Sequence, residues 1–242
     1  MIPGMYEMIL PGLHLIGSGN LTHTADCQAF LVETGPEKGS TEVAGANGGW
    51  AADDREIGGV IIDAGADPTA TGIIQNIEVI GVKPTHLILT HGHIDHIGGA
   101  SALKERFGLT VIAHENDADI METYDPIRSA AGYYGLRYPP VGVDKRITCD
   151  MDLTLGERRF RLIEMPGHTP GSIAVFTKIG DKRILFGQDI HGPFNPVWGS
   201  DQDIHSISLG RLQKLRANIL CEGHFGIIRS EDRVRDYIES YR

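Results

Sequence analysis

The chain has 242 residues, of which 41% are hydrophobic and 22% are charged, so it is long enough to bury a sizeable core. Its formal net charge of −10 argues against nucleic acid as a partner, because phosphate contacts require a basic face. The three cysteines, Cys27, Cys149 and Cys221, lie far apart without a CxxC pair, so neither a zinc ribbon nor a disulfide framework is indicated.

The N-terminus lacks the basic and apolar regions of a secretory signal. No window approaches the ~20 apolar residues that a membrane span requires. We therefore expect a cytoplasmic protein that acts on a small-molecule substrate, without a membrane or nucleic-acid partner. Association into a homo-oligomer stays open, because the sequence does not address it.

Short apolar runs, separated by Gly and Pro, predict β-strands in the first part of the chain. These strands cover residues 6–10, 13–17, 28–33 and 60–62. Between the last two lies a polar segment, 35–58, which contains Trp50 and predicts a long loop insertion. Trp50 is a candidate substrate contact on a flap, and an ordinary surface loop is the alternative.

The next part of the chain alternates between helices and strands. Apolar residues at helical spacing predict an amphipathic helix over 68–80, whose apolar face carries Ile73, Ile74, Ile77 and Ile80. A strand is predicted over 85–89, followed by a helix over 97–107 and a strand over 109–113. This alternation indicates an α/β layer.

The second half begins with a less regular segment, 115–148, which we predict to be another loop insertion with a helix over 115–124. It contains Tyr133, a candidate substrate contact for which ordinary packing is the alternative. Further strands are predicted over 160–164, 173–177 and 183–186, and helices over 206–215 and 231–241. We expect residues 1–242 to form a single domain.

The strongest chemical signal is the motif HGHIDH at residues 91–96, directly after the predicted strand 85–89. His91, His93, Asp95 and His96 are hard to explain as core, since buried imidazoles and carboxylates are costly unless they are paired or bound to a metal. Imidazole and carboxylate ligands suit zinc, iron or manganese. Two neighbouring ions, one held by His91 and His93 and the other by Asp95 and His96, are a natural solution.

Three later segments each place one more ligand-type residue beside a glycine after an apolar run. These segments are PGHTPGS with His168, FGQD with Asp189 and EGHFG with His224. Strand ends of this kind are where α/β active sites tend to be assembled. His191, two residues beyond Asp189, is a candidate to line the pocket, with a solvated loop residue as the alternative.

The five motifs VIIDAG, HGHIDH, PGHTPGS, FGQD and EGHFG occur in the order found in the metallo-β-lactamase fold superfamily, which this sequence resembles over nearly its whole length. The resemblance implies an α/β (α+β) fold, an αββα sandwich of two mixed sheets with helices outside. The superfamily includes the catalytic domain of glyoxalase II-like enzymes, which this sequence also resembles.

The resemblance also implies roles for individual residues. One metal is held by three histidines: His91, His93 and His168. The other metal is held by Asp95, His96 and His224, while Asp189 bridges the two. Asp63, in the first motif, is implied to support the ligands without binding metal, and a plain turn residue is its alternative. The implied cofactors are two divalent ions, with zinc preferred over iron or manganese.

A pair of cations about 3.5–4 Å apart can activate a shared water and stabilise a developing oxyanion. Asp95 is the candidate catalytic residue, because it can orient that water or take its proton. We therefore predict a metallo-hydrolase of an ester, thioester or lactone bond. The alternatives are a phosphoesterase, a mononuclear iron oxygenase of the persulfide dioxygenase type, and a metal-binding sensor or partner module without turnover.

Overall fold

The computed structural model describes residues 6–35 and 58–242; Trp50 lies outside them. Within these residues the chain forms two β-sheets. The first sheet has seven strands in chain order: β1 (Glu7–Leu10), β2 (Leu13–Gly17), β3 (Ala29–Glu33), β4 (Gly58–Ile62), β5 (Lys83–Ile88), β6 (Thr110–His114) and β7 (Lys145–Ile147). Strands β1 to β4 pair antiparallel, whereas β4 to β7 pair in parallel.

The second sheet has six strands in the order β13-β12-β11-β10-β9-β8. These strands are β8 (Met151–Leu155), β9 (Arg158–Glu164), β10 (Ile173–Ile179), β11 (Lys182–Gln188), β12 (Ile219–Glu222) and β13 (Ile227–Arg229). Only the pair β11 and β12 is parallel. Along β9, buried Phe160 and Leu162 alternate with exposed Arg159 and Arg161, as expected for a strand with one face on the core.

Helices cover the outer face of each sheet. Five of them connect the strands of the first sheet: α1 (Thr71–Ile80), α2 (Ile94–Ile97), α3 (Ala100–Phe107), α4 (Glu115–Glu122) and α5 (Ala131–Tyr134). Two others, α6 (Gln202–Gln213) and α7 (Glu231–Ser240), cover the second sheet. Helix α6 begins where the Asp201 side chain accepts a hydrogen bond from the backbone N–H of Ile204.

Three apolar layers hold these elements together. The central layer lies between the two sheets, where Phe30 and Phe186 meet edge to face with ring centroids 5.2 Å apart. One outer layer packs α1 and α3 on the first sheet, and the other packs α6 and α7 on the second. The architecture is therefore the expected αββα sandwich, with buried apolar area as its main source of stability.

The parallel pairing of β4, β5 and β6 fixes where polar loops meet. Parallel strands end at the same edge of a sheet, so Asp63 after β4, Thr90 after β5 and Glu115 after β6 lie at one edge. The hairpin between β2 and β3 turns at this edge too, because β3 runs antiparallel to β4. The loops that carry the candidate ligands therefore lie at one end of the sandwich.

Some elements differ from the sequence-based predictions. The helix predicted over 97–107 is two helices, α2 and α3, separated at Gly98 and Gly99. The break occurs where the Gly99 N–H donates a hydrogen bond of 3.2 Å to the Gly65 carbonyl instead of continuing the helix, and a Cβ atom on Gly98 would lie 2.3 Å from the Ala66 carbonyl oxygen. The segment predicted as an insertion, 115–148, contains α4, α5 and β7, and supplies a strand to the first sheet. In the described ranges, no helix is long and apolar enough to cross a membrane.

Candidate metal centre

Four candidate ligands lie on one turn after β5. His91, His93, Asp95 and His96 are all at most 4% exposed. His93 has an extended backbone and directly precedes α2, so the helix that follows turns Asp95 and His96 back toward the end of the sheet. Buried imidazoles and carboxylates require partners, and these come from three other loops.

The first cluster consists of His91, His93 and His168, the last from the loop between β9 and β10. His93 Nδ1 lies 3.1 Å from His91 Nε2 and 2.9 Å from His168 Nε2. Burial lowers the pKa of His91 and His168 well below the usual value and that of His93 to about 4. All three imidazoles are therefore neutral near pH 7 and offer lone pairs to a cation.

The second cluster consists of Asp95, His96 and His224, which follows β12. Asp95 Oδ2 lies 3.1 Å from His224 Nε2 and 3.7 Å from His96 Nε2. Burial acts to lower the pKa of His224, but the neighbouring carboxylates of Asp189 and Asp95 raise it to about 10. The His224 side chain is 29% exposed, so this cluster opens to solvent.

Asp189, at the end of β11, stands between the two clusters. Its Oδ2 atom lies 3.5 Å from His168 Nε2 and 3.9 Å from His91 Nε2. Its Oδ1 atom lies 3.3 Å from His96 Nε2 and 3.4 Å from His224 Nε2. One carboxylate oxygen therefore faces each cluster.

The donor atoms of the two clusters are suited to divalent cations. Among the residues that the structure describes, His96 Nε2 and Asp189 Oδ1 are fully buried and find no hydrogen-bond partner, although they lie 3.3 Å apart. Such unpaired buried atoms are costly unless another group binds them. Asp189 completes each cluster, and within each completed cluster the ligand atoms all lie within 4.8 Å of one another. Imidazole nitrogens and carboxylate oxygens fit zinc, iron or manganese.

Asp63 supports the second cluster from behind. Its Oδ1 atom accepts a hydrogen bond of 2.8 Å from the Thr90 backbone N–H, and its Oδ2 atom accepts one of 2.8 Å from the Thr90 hydroxyl. The same Oδ2 atom lies 2.8 Å from His96 Nδ1. This contact orients the His96 ring so that Nε2 is available to the cluster. The buried thiol of Cys27 lies beside the same pair, within 4.8 Å of their ligand atoms.

Asp117, on α4, is a buried residue that the sequence reasoning missed. Its carboxylate accepts hydrogen bonds from the Gly92 N–H (2.8 Å), the Thr169 hydroxyl (2.7 Å) and the Gly171 N–H (2.8 Å). Burial raises its pKa, against the effect of these three donors. Asp117 thereby ties the loop of the first two histidines to the loop of His168. The sequence does place Asp117 just after β6, the parallel neighbour of β5, and this position could have indicated that it lies near the site.

Glu222, also missed, organises the loop that carries His224. Its Oε2 atom accepts hydrogen bonds from the backbone N–H groups of His224 (2.6 Å) and Phe225 (2.8 Å). Its Oε1 atom lies 2.8 Å from Nδ1 of His191, whose ring meets the His224 ring at a centroid distance of 5.3 Å. His191, a predicted pocket residue, therefore lies beside the second cluster. Gly223, which follows Glu222 in the chain, lies so close to the site that a Cβ atom on it would be 2.3 Å from Asp189 Oδ1.

The two tyrosines of α5 differ in their position relative to the site. Tyr133, the predicted pocket residue, is 87% exposed, and its ring contacts Tyr134. Burial and the charges of Asp95 and Asp189 raise the pKa of Tyr134 to about 12. Tyr134 is the less exposed member of the pair, and the role of Tyr133 as a substrate contact stays a prediction.

A groove of about 540 Å³ adjoins the exposed side of His224. The loop between β2 and β3 forms one wall, and β13 contributes to the other. Polar side chains line it, including Ser18, Asn20, Asp26, Gln28 and Arg229. The groove offers space and hydrogen-bonding groups for a polar part of a substrate.

The sandwich and its clustered ligands define a metallo-hydrolase fold. Residues 55–224 match the metallo-beta-lactamase superfamily, and the chain belongs to this family. The probable metallo-hydrolase YybB of Bacillus subtilis is 28% identical over 190 residues, covering 75% of this chain and 83% of that protein. The hydroxyacylglutathione hydrolase GloC of Haemophilus influenzae is 32% identical over 142 residues, covering 57% of this chain and 63% of GloC.

Solved structures show the same fold. A variant of the HARLDQ-motif metallo-beta-lactamase of Cronobacter sakazakii superposes with a TM-score of 0.75 at 22% identity, covering 99% of this chain and 94% of that one. The beta-lactamase of Chitinophaga pinensis gives 0.68 at 20% identity, covering 92% and 79%. The family match and the hydrolase relatives identify the chain as an enzyme, a metal-dependent hydrolase of this superfamily.

Proposed function

We propose that this enzyme uses two divalent ions, with zinc as first choice, to hydrolyse an ester, thioester or lactone bond of a small molecule. The observation that carries the proposal is the carboxylate of Asp189, which directs one oxygen to each of two clusters of ligand atoms. Relatives named as hydroxyacylglutathione hydrolases support a reaction at an acyl carbon.

Each cluster would hold one ion, with Asp189 shared between them. When bound, such ions supply an activated water and positive charge for the developing oxyanion. In our proposal Asp95 orients that water and takes its proton at Oδ2, the oxygen that lies 3.1 Å from His224 Nε2. Asp63 holds the ring of His96 in place, so that the cluster is organised before substrate arrives.

The surroundings of the site favour a substrate that approaches from the side of His224. That side chain is partly exposed, whereas the histidines of the first cluster are at most 4% exposed. A scissile carbonyl placed there would lie between the two clusters and next to the groove. The exclusion of water on the far side strengthens electrostatic interactions with the reacting group.

The test combines metal analysis with a substrate screen. Purified protein, loaded with zinc, iron or manganese, is assayed against matched panels of esters, thioesters, lactones and phosphoesters. We expect two ions per chain and turnover on one of the acyl panels; Asp189→Ala should lose both, whereas Asp203→Ala, an exposed change on α6, should lose neither.

Other outcomes would contradict the proposal in distinct ways. One iron per chain with thiol-dependent oxygen uptake would indicate an oxygenase. Turnover confined to the phosphoesters would indicate a phosphoesterase. Complete inactivity of fully metal-loaded protein on every panel would favour a metal-binding module without catalysis.

A further inference from the structure

Aromatic side chains contact the imidazoles of the metal centre along its outer side. The Trp198 ring meets the His93 ring at a centroid distance of 4.8 Å and an interplanar angle of 71°. The Phe194 ring meets the His168 ring at 6.2 Å. Both aromatic residues are half-buried, so neither is fully covered by the fold.

The segment that carries these two rings is fastened to the metal-centre loops. The Ser200 hydroxyl donates a hydrogen bond of 2.6 Å to the His168 carbonyl, and the Asp201 N–H donates one of 2.8 Å to the Gly167 carbonyl. A short 3-10 turn, Pro196–Trp198, begins where the Asn195 side chain accepts a hydrogen bond from the Val197 N–H. Trp198 is therefore held at a defined place beside the first cluster.

Further aromatic surface lies on another side of the centre. The Phe225 ring packs against His191 at 4.6 Å, yet 62% of Phe225 is exposed. Three aromatic side chains, which we call the aromatic collar, thus border the centre: Phe194, Trp198 and Phe225.

Exposed apolar surface that borders a reactive centre points to an apolar ligand group. The collar contrasts with the polar groove on the exposed side of His224. Rigid aromatic rings also cost little conformational entropy when they bind a ligand. The two surfaces therefore favour a substrate with an apolar part on the collar and a polar part in the groove.

We propose that the aromatic collar selects substrates whose acyl group is apolar, such as medium-chain aliphatic or arylalkyl acyl groups, and that the polar leaving group occupies the groove. This inference rests on the proposed acyl hydrolysis and narrows its substrate class. It separates this enzyme from one built for short, polar hydroxyacyl groups. Trp198 is the principal specificity-determining residue, because it lies against a ligand of the first cluster.

The test uses N-acetylcysteamine thioesters, which keep one polar leaving group while the acyl group changes. The acyl groups are acetyl, lactoyl, hexanoyl and phenylacetyl, and kcat/KM is measured for each with the metal-loaded protein. Four added methylene groups, about half removed from water, should raise kcat/KM for hexanoyl over acetyl by about tenfold or more. Lactoyl should resemble acetyl, since its hydroxyl gains nothing from the collar.

Variants assign that preference to the collar. In Trp198→Ala the ratio of hexanoyl to acetyl kcat/KM should fall to within about twofold of one, and Phe225→Ala should reduce it partially. Val79→Ala is the matched control: Val79 is 64% exposed near the end of α1, away from the centre, and its loss should leave the ratio unchanged. Metal content should be the same in all of these proteins.

A binding measurement keeps the inference testable without turnover. Trp50 and Trp198 are the two tryptophans of the chain, so the Trp50→Phe variant reports on Trp198 alone. Hexanoate should bind this variant about tenfold more tightly than acetate and change its fluorescence. No hydrolysis of any ester, thioester or lactone, together with this binding difference, would refute the proposed function but support the collar. Hydrolysis with acetyl or lactoyl preferred, or a hexanoyl preference that persists in Trp198→Ala, would overturn the collar and leave the proposed function intact.

Discussion

Asp117 offers the clearest test of how the metal centre is supported. Its carboxylate is buried and accepts three hydrogen bonds: from the Gly92 N–H, the Gly171 N–H and the Thr169 hydroxyl. The Thr169 hydroxyl also contacts the Ser172 hydroxyl at 2.8 Å and keeps that partner when the carboxylate is removed. Asp117→Ala therefore strands two buried amide donors at about 1–3 kcal/mol each, or about 4 kcal/mol of unfolding free energy.

Asp117→Asn should cost about half as much. The amide oxygen can occupy the position of Oδ2 and keep the Gly92 and Thr169 donors, but the NH₂ group then faces the Gly171 N–H. One donor is lost, which corresponds to about 2 kcal/mol. Because Gly92 and Gly171 flank ligands of the first cluster, metal affinity should fall roughly 10- to 100-fold as well.

Urea unfolding, with and without a chelator, measures the first effect, and competition with a chromophoric chelator measures the second. Asp119→Asn is the control: it lies on the same helix, is 57% exposed and pairs with Arg128 at the surface, so it should cost less than about 1 kcal/mol. If Asp117→Asn unfolded within about 0.5 kcal/mol of the wild type and bound metal normally, the supporting role of this carboxylate would be wrong.

Four further predictions follow from the same contacts. Gly223→Ala should reduce metal content and activity at least tenfold, because the new Cβ would lie 2.3 Å from Asp189 Oδ1. In the control Gly210→Ala, on α6, the new Cβ contacts only the flexible end of Arg242, so metal content and activity should not change. Removing bound metal with a chelator should lower the unfolding free energy by about 4 kcal/mol, if the free ion had been present at about 1,000 times its Kd; an unchanged urea midpoint would show that the centre binds no ion. Adding zinc to chelator-treated protein at pH 7 should release protons from the second cluster, because the pKa of His224 is raised to about 10, and the apparent zinc affinity should fall as pH decreases. Titration calorimetry in buffers of different ionisation enthalpy measures the proton release, and its absence would contradict this prediction. Arg211→Met should cost about 1 kcal/mol or less at pH 7, because Arg211 is 40% exposed and solvent screens its pair with Asp150. Burial acts to raise the pKa of Asp150, but hydrogen bonds from Arg211 and from the Glu164 N–H lower it below the usual value, so in acid unfolding curves this stabilisation should be complete above about pH 5 and disappear as pH falls through the lowered pKa.

The sequence predicted the fold and family because its strongest patterns are local. The apolar runs of β2, β3 and β5 and the motif at 91–96 are each contained in a few residues. The resemblance to the superfamily implied that two mixed sheets pack face to face with helices outside. Fold and family are confirmed by the two mixed sheets and by the match over 55–224. The structure also brings His168, Asp189 and His224 to the turn that carries His91.

Other features depend on contacts that no local pattern reveals. Strand β7 was missed, because its three residues take their place in the sheet from pairing with β6. Asp117 and Glu222 read as ordinary surface carboxylates until the fold buries them against backbone N–H groups. Tyr133 stays a predicted substrate contact: it is 87% exposed, on a four-residue helix whose orientation is set by packing that no local pattern reveals.

The central claim is that Asp189 bridges two metal ions. Crystals of the zinc-loaded protein, measured at the zinc absorption edge, test it most directly by anomalous scattering. We predict two peaks per chain, one bonded to His91 Nε2, His93 Nδ1 and His168 Nε2 and the other to Asp95, His96 and His224, with one oxygen of Asp189 directed at each. A single peak, or peaks that leave Asp189 without a bond to metal, would contradict the account.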